Sequence, residues 1–119
     1  MHERFIYHLC RSAEWEAALA AGSYTGSSQD RADRFIHFSA PGQLVASAAK
    51  HRAGQKDLVL LEVEAERLRP ALVWEPSRGG ALFPHLYGAL KPADVNRVWP
   101  LPLDDDGLHR FPDDLGLAA

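Results

Sequence analysis

The chain has 119 residues, a mass of 13.2 kDa and a formal net charge of −3, and this length is typical of one domain. Cys10 is the only cysteine, which excludes an intramolecular disulfide and a multi-thiolate metal site. No apolar run approaches the length of a membrane helix, and no basic segment followed by an apolar stretch opens the sequence. We therefore expect a soluble cytoplasmic protein that has no membrane partner.

The negative charge lies in the C-terminal tail. Residues 104–119 contain five Asp and one Arg, whereas residues 1–103 contain 12 basic and 11 acidic side chains. A nearly neutral body offers no basic face that would release counterions from a duplex, so we expect no duplex nucleic acid partner. We expect one domain over 1–112, a disordered tail over 113–119 and, by default, a monomer.

The first half of the chain predicts two strands and two helices that are separated by a long loop. Arg4–Cys10 alternates as a strand, and 12–21 is a helix that Ser12 caps and Gly22 ends. Gly22–Asp33 is polar and rich in Gly and Ser, which predicts a loop of a dozen residues. Residues 34–39 predict a second strand, and 41–51 predict a helix with proline in its first turn.

The second half predicts mainly strands. Residues 57–64 are apolar on both faces at the start, which is typical of a central strand. Pro84 lacks an N–H group, so we expect 83–87 to be an edge strand or a bulge. The other expected elements are strands over 71–75 and 95–103, a helical turn over 91–94 and a hairpin partner over 108–111. Early helices followed by late strands favour an α+β fold.

Three of the predicted strands carry a histidine in mid-segment, namely His8, His37 and His85. A single histidine among apolar neighbours is typical of a neutral core residue, whereas three on separate strands can face a common cleft. No His-x-His or His-x₃-His spacing places two metal ligands on one element, which weakens a His₃ zinc site. Cys10 shares a strand face with His8, but such neighbours are ~7 Å apart, so we expect a buried and unreactive thiol.

Glu75 is a candidate working carboxylate. Pro76 favours an extended backbone at Glu75, which therefore ends a strand at a loop, although a surface glutamate is the alternative. Trp74 and Tyr87 are each either a stacking face for a planar ligand or part of the core. No glycine-rich phosphate loop or nucleophile elbow is present, which excludes those reaction classes.

Several segments together resemble one family over nearly the whole chain. These segments are Ile6-Tyr7-His8, Phe35-Ile36-His37-Phe38-Ser39 followed by Gln43, Asp57-Leu58-Val59-Leu60-Leu61, Trp74-Glu75 and Phe83-Pro84-His85-Leu86-Tyr87-Gly88. In this order they are similar to the small bacterial domain of unknown function family 952. That family usually has Cys or Ser at the position of Phe38 and Pro at the position of Ala89, which are small departures.

The resemblance implies a fold similar to that of the ADP-ribosyltransferases, with two small, mostly antiparallel sheets around a cleft. Those enzymes hold NAD with a His or Arg on one strand and a Ser or Tyr on a second, while a Glu on a third stabilises the oxocarbenium-like transition state. His8 matches the first position and Ser39 the second. The third segment offers His85 and Tyr87 but no carboxylate to attract the developing ribosyl cation.

Three functions stay open from the sequence. The first is a module that binds a nucleotide-like small ligand, of the NAD or ADP-ribose type, and has lost the acidic residue. The second is an active ADP-ribosyltransferase-like enzyme in which Glu75 and His85 are catalytic. The third is a metal-dependent hydrolase that uses the histidines. The residues expected to contact the ligand or cofactor are His8, His37, Ser39, Arg78 and Tyr87, with Arg34 as an alternative to Arg78 for a pyrophosphate.

Overall fold

A computed structural model describes residues 4–77 and 80–115 as an α+β domain with two three-stranded antiparallel sheets. This confirms the expected α+β class and the two small sheets. The helices of the described residues are α1 (Ser12–Ala21), α2 (Ser28–Asp33) and α3 (Pro41–His51). The strands are β1 (Phe5–Arg11), β2 (Ile36–His37), β3 (Leu58–Glu64), β4 (Leu72–Pro76), β5 (Leu82–Leu86) and β6 (Val95–Leu101).

The first sheet has the order β1-β3-β6, so β3 is central, as its apolar sequence predicts. Strand alternation divides the side chains of β1 between two apolar clusters. Ile6 and Cys10 belong to one cluster, and Tyr7 belongs to the other, against which Phe5 and Leu9 pack. The alternation read from the sequence of β1 is therefore confirmed.

The second sheet has the order β2-β5-β4, which makes β5 its central strand. The expectation that Pro84 puts this strand at an edge is wrong. The Pro84 carbonyl accepts a hydrogen bond from the Phe38 N–H at 3.0 Å, but proline has no N–H to return one. The ladder between β5 and β2 therefore breaks at this point, and β2 ends after His37. The sheet tolerates the proline because one neighbouring strand is only two residues long.

A single backbone bridge joins the two sheets within the described residues. The Tyr7 N–H donates to the Ser39 carbonyl at 2.9 Å, and the Ser39 N–H donates to the Tyr7 carbonyl at 2.8 Å. Tyr7 lies in β1, and Ser39 lies just before α3. Because β1 and β2 do not pair along their lengths, space is left between the sheets beside this bridge.

Several local predictions need correction. The stretch expected to be a loop over 22–33 contains α2 in its second half, because residues before that helix satisfy its N-terminal N–H groups. Arg11, not Ser12, is the N-cap of α1, and the Glu14 carboxylate accepts the Arg11 N–H at 3.0 Å. The expected hairpin over 108–111 is reduced to one bridge between Leu103 and His109.

Two further expectations concern the C-terminal tail and membrane-spanning helices. Of the segment 113–119, the structure describes 113–115, a turn of 3-10 helix whose Leu115 packs on the second cluster; 116–119 lie outside the described residues. None of the helices in the described ranges combines the length and apolar character needed to cross a bilayer.

The first sheet contains a buried carboxylate, Glu62, which is 1% exposed. It accepts hydrogen bonds from the Tyr7 hydroxyl at 2.8 Å, from Asn96 at 2.6 Å and from the Arg97 guanidinium at 2.9 and 3.1 Å. Burial raises the pKa of Glu62, but the hydrogen bonds from Arg97, Asn96 and Tyr7 outweigh it, so the pKa lies below its usual range. The ionised carboxylate thus ties β3 to β1 and β6.

We expect Glu62→Gln to lower the free energy of unfolding by about 2–3 kcal/mol at neutral pH, because the neutral amide brings its own donors towards those of Arg97. The folded pKa of Glu62 lies below the unfolded one. Its stabilisation is therefore complete above the unfolded pKa and is lost as the pH falls through the folded pKa. Urea denaturation from about pH 7 to about pH 3 should show the difference between variant and wild type shrinking.

The matched control is Glu64→Gln on the same strand. Glu64 pairs with the exposed Arg4 at 3.6 Å, and such surface pairs contribute under about 1 kcal/mol. An equal loss of stability in the two variants would contradict the structural role given to Glu62.

Candidate functional site

A cleft of about 580 Å³ lies beside the bridge between the sheets, a volume typical of ligand pockets. Its walls come from β1, α1, α2, β2, α3 and β5, with Glu14 as the α1 contribution. Four residues predicted from the sequence line it together, namely His8, His37, Ser39 and His85. Glu75 and Tyr87 are not part of this lining; Glu75 accepts a hydrogen bond from His85, and Tyr87 donates one to Glu75. Arg78 lies outside the described residues, and Arg34 lines a separate, smaller cavity of about 230 Å³.

Asp30 is the central acid of the site, and it is held by the N-terminus of α2. The N-cap Ser27 hydroxyl accepts the Asp30 N–H at 3.3 Å, and Asp30 Oδ2 accepts the Ser27 N–H at 2.8 Å. This reciprocal pair is a capping box of the Ser-x-x-Asp type. Gly26 has φ +94 and sits so close to Asp30 that an added Cβ would be 2.5 Å from the Asp30 Cβ. The local sequence therefore fixes where the carboxylate points.

The second oxygen of Asp30 orients His37. Asp30 Oδ1 accepts hydrogen bonds from His37 Nδ1 and, at 3.1 Å, from the His37 backbone N–H. Burial raises the pKa of the Asp30 carboxyl, but the hydrogen bonds from His37 and Ser27 hold it well below its usual range. Asp33 Oδ2 lies 3.0 Å from His37 Nε2 on the solvent side. His37 therefore lies between two carboxylates.

His8 is part of the frame of the cleft. Its Nδ1 donates to the His37 carbonyl at 2.6 Å, because a carbonyl can only accept. Its Nε2 is then left to accept the Tyr24 hydroxyl at 2.6 Å. Burial lowers the pKa of His8 and so favours the neutral ring. The nearby Asp30 carboxylate acts in the opposite direction but does not outweigh burial. Both ring nitrogens are thus bonded to protein groups, and His8 ties β1 to β2.

His85 is held by the carboxylate of Glu75. Its Nδ1 donates to Glu75 Oε1 at 2.7 Å, and the Tyr87 hydroxyl donates to the same oxygen at 2.8 Å. These two hydrogen bonds lower the pKa of Glu75 and keep it ionised. Phe35 stacks on the ring of His85 with centroids 4.0 Å apart and planes 22° apart. The ring is therefore fixed in orientation, and the described residues provide no hydrogen bond to its Nε2.

The two carboxylate-bound histidines are direct neighbours across the second sheet. His37 is opposite His85 in the register, and Glu75 lies on the same face of β4. The ring centroids of His37 and His85 are 5.5 Å apart in an edge-to-face arrangement. Trp74 is on the opposite face and packs against the core. One face of the sheet thus carries the polar groups of the cleft, and the other is apolar.

The remaining lining contributes hydroxyl and guanidinium groups. The Ser39 hydroxyl donates to the Ser47 hydroxyl of α3 at 3.2 Å. Arg52 follows α3 and donates to the Gln55 side chain at 3.0 Å and to the Leu9 carbonyl at 3.2 Å. Arg11 also lines the cleft.

The cysteine prediction agrees with the structure. Cys10 is buried in the core, and burial raises the pKa of its thiol to about 12. The predicted burial of Cys10 is confirmed, and a thiol with a raised pKa is a poor nucleophile, as expected of an unreactive core residue.

A family model and several solved structures match this chain. The model of the family "Protein of unknown function (DUF952)" matches residues 9–98. The chain belongs to the DUF952 family. The crystal structure of protein CC0527 from Caulobacter crescentus is 51% identical with a TM-score of 0.91, covering 95% of this chain and 99% of that one. Its solution NMR structure is 50% identical with a TM-score of 0.85, covering 98% of this chain and 100% of that one. No curated protein matches the chain.

Membership in the DUF952 family confirms the resemblance seen in the sequence segments. The similarity to ADP-ribosyltransferases is not part of what these matches show, and it stays a prediction. The carboxylate that organises the cleft was missed by the sequence reading, because Asp30 was assigned to a loop. The pattern Ser27-x-x-Asp30 is a capping box that would have located both the helix and its acid.

We expect Gly26→Ala to destabilise the protein by about 2–4 kcal/mol, because it combines left-handed backbone strain with a clash against Asp30. Displacing Asp30 should also alter the His37 ring environment. Thermal denaturation and ¹H–¹³C spectra of the histidine rings measure both effects.

Gly22→Ala is the matched control, since Gly22 also has positive φ (+78) but has nothing within 4 Å of an added Cβ. It should cost only about 1 kcal/mol and leave the His37 signals in place. If the two variants behave alike, backbone strain rather than the Asp30 contact is the reason for glycine at position 26.

Proposed function

We propose that the cleft binds a nucleotide-like small ligand of the NAD or ADP-ribose type. The observation that carries this proposal is the lining: His37, Ser39 and His85, which sequence reasoning selected separately, surround one cavity of about 580 Å³. Concave sites of this size with a few convergent polar groups are the usual form of small-molecule sites.

The chemistry of the lining fits such a ligand. Arg11 and Arg52 supply positive charge for phosphate groups, and guanidinium groups bind phosphate oxygens in a bidentate manner. Phe83 adds aromatic surface to the lining, which suits a planar base. Ser39 provides a hydroxyl for the polar part of a sugar. His8 supports the position of these groups through its bonds to β2 and Tyr24 rather than by contacting the ligand.

ADP-ribosyl transfer is the second candidate function. The hydrogen-bonded pair of Glu75 and His85 would suit a catalytic role, but its geometry does not match that reaction. In that reaction, a carboxylate faces the developing ribosyl cation. Glu75 instead accepts hydrogen bonds from His85 and Tyr87, and the oxygens of Asp30 are used by Ser27 and His37. Among the described residues, no three His, Cys, Asp or Glu side chains are grouped as metal ligands, so nothing in the geometry supports the metal-dependent hydrolase.

Titration of the ¹⁵N-labelled protein with ADP-ribose, NAD and AMP tests the proposal. We expect amide shifts to concentrate at His37, Ser39 and Arg52 and to saturate at micromolar to millimolar ligand. Signals of β6, the outer strand of the other sheet, which contributes no residue to the lining, should stay constant. Arg52→Gln should weaken the binding of ADP-ribose about tenfold or more, because a charged hydrogen bond to phosphate is lost.

Two outcomes would contradict the proposal. One is the absence of shifts with all three ligands at millimolar concentration. The other is turnover of NAD with release of nicotinamide that Glu75→Gln abolishes, which would favour the ADP-ribosyltransferase-like enzyme over a binding module.

A further inference from the structure

The cleft contains two histidines that differ in how their ring nitrogens are used. His85 has one nitrogen on a carboxylate and the other without a hydrogen bond among the described residues, whereas His37 has carboxylates at both nitrogens. We propose that His85 and His37 act as base and acid in the hydrolysis of a cyclic phosphodiester of a ribonucleotide bound in the cleft. This inference rests on the proposed function and deepens it by naming a reaction.

His85 is suited to the role of base. Because Nδ1 donates to Glu75 Oε1 at 2.7 Å, the lone pair of the neutral ring is on Nε2. The Glu75 carboxylate stabilises the imidazolium that forms when Nε2 takes a proton, and the stacked Phe35 prevents the ring from turning. The side chain is only 7% exposed, and the residue lines the cleft. A water molecule in the cleft is therefore the natural proton donor to Nε2.

His37 is suited to the role of acid. Carboxylates accept and do not donate, so a hydrogen that His37 carries on Nε2 is directed at Asp33. Asp30 is buried and keeps Nδ1 in place, while Asp33 is 37% exposed at the end of α2. Nε2 can exchange its surface contact with Asp33 for a contact with the leaving oxygen of a substrate.

His37 and His85 line the same cleft with ring centroids 5.5 Å apart, so a phosphate that lies over both rings can have its attacking oxygen near His85 and its leaving oxygen near His37, as in-line displacement at phosphorus requires. Water loses a proton to His85 Nε2 as its oxygen forms a bond to phosphorus. The bond from phosphorus to O2′ breaks, and O2′ takes the proton of His37 Nε2, which gives a nucleoside 3′-phosphate. Exchange with bulk water then restores both rings. Arg11 and Arg52 offset the charge on the phosphoryl oxygens.

A cyclic diester is the substrate class that this machinery can use. Ring strain in a 2′,3′-cyclic phosphate lowers the barrier to opening, so that two imidazoles and positive side chains suffice. In such a pair, the general acid and the general base each raise the reaction rate by about 10²- to 10⁴-fold.

The test follows 2′,3′-cyclic AMP by ³¹P NMR at neutral pH with EDTA, which chelates the metal ions of contaminating metal-dependent phosphatases and so inactivates them. We expect catalytic conversion to 3′-AMP by the wild-type protein. His85→Gln and His37→Gln should each lower kcat about 100-fold or more. His109→Asn, a histidine outside the cleft lining, should retain the wild-type rate.

Glu75→Gln distinguishes a positioning role from a merely structural one. It should lower kcat about tenfold with little change in KM, because the amide does not stabilise the imidazolium of His85. Long-range ¹H–¹⁵N spectra should show His85 as the Nδ1–H tautomer in the wild type and as a mixture of tautomers in the variant.

Binding of ADP-ribose is measured on the same protein so that the two proposals can fail separately. Binding without hydrolysis of cyclic AMP by the wild type would overturn the acid–base pair and leave the ligand site intact. Absence of both would overturn both. Hydrolysis that His85→Gln does not slow would also overturn the pair, and this result does not depend on whether His37→Gln folds.

Discussion

The buried carboxylate of Asp30 is the interaction on which the cleft depends. It closes the N-terminus of α2 through Ser27, and it fixes the ring and the backbone of His37. A buried ionised group is costly unless hydrogen bonds compensate it, so these contacts must form together. Since the His37 carbonyl also accepts from His8, the same group indirectly sets how β1 meets β2. The loop-helix segment, the second sheet and the first sheet are thereby joined at one point.

The carboxylates Glu62, Asp30 and Glu75 have different roles in the structure. Glu62 lies within the first sheet, and its hydrogen bonds to three neighbours complete a structural network. Asp30 and Glu75 lie beside the cleft, and each is bonded to a histidine that lines it. Glu62 therefore accounts for stability, whereas the other two determine which nitrogen of each ring is available.

Most of the architecture could be predicted from local pattern. Strand alternation in β1 correctly assigned the two faces, and Gly22 and Pro41 correctly marked a helix end and a helix start. The central position of β5 could not be predicted, because it depends on β2 being only two residues long. Of the site, the clustered histidines and Ser39 were selected from the sequence. The pairing of Glu75 with His85 was not, because it arises from strand register between β4 and β5.

Long-range ¹H–¹⁵N spectra of the histidine rings in the wild type and in Asp30→Asn test the central role of this carboxylate most directly. In the wild type, His8 should be the Nδ1–H tautomer, and the His37 Nδ1 proton should be protected from exchange with water. In Asp30→Asn, the His37 proton should exchange freely while the ring of His109 is unchanged. Identical His37 signals in the two proteins would contradict the claim that Asp30 organises the cleft.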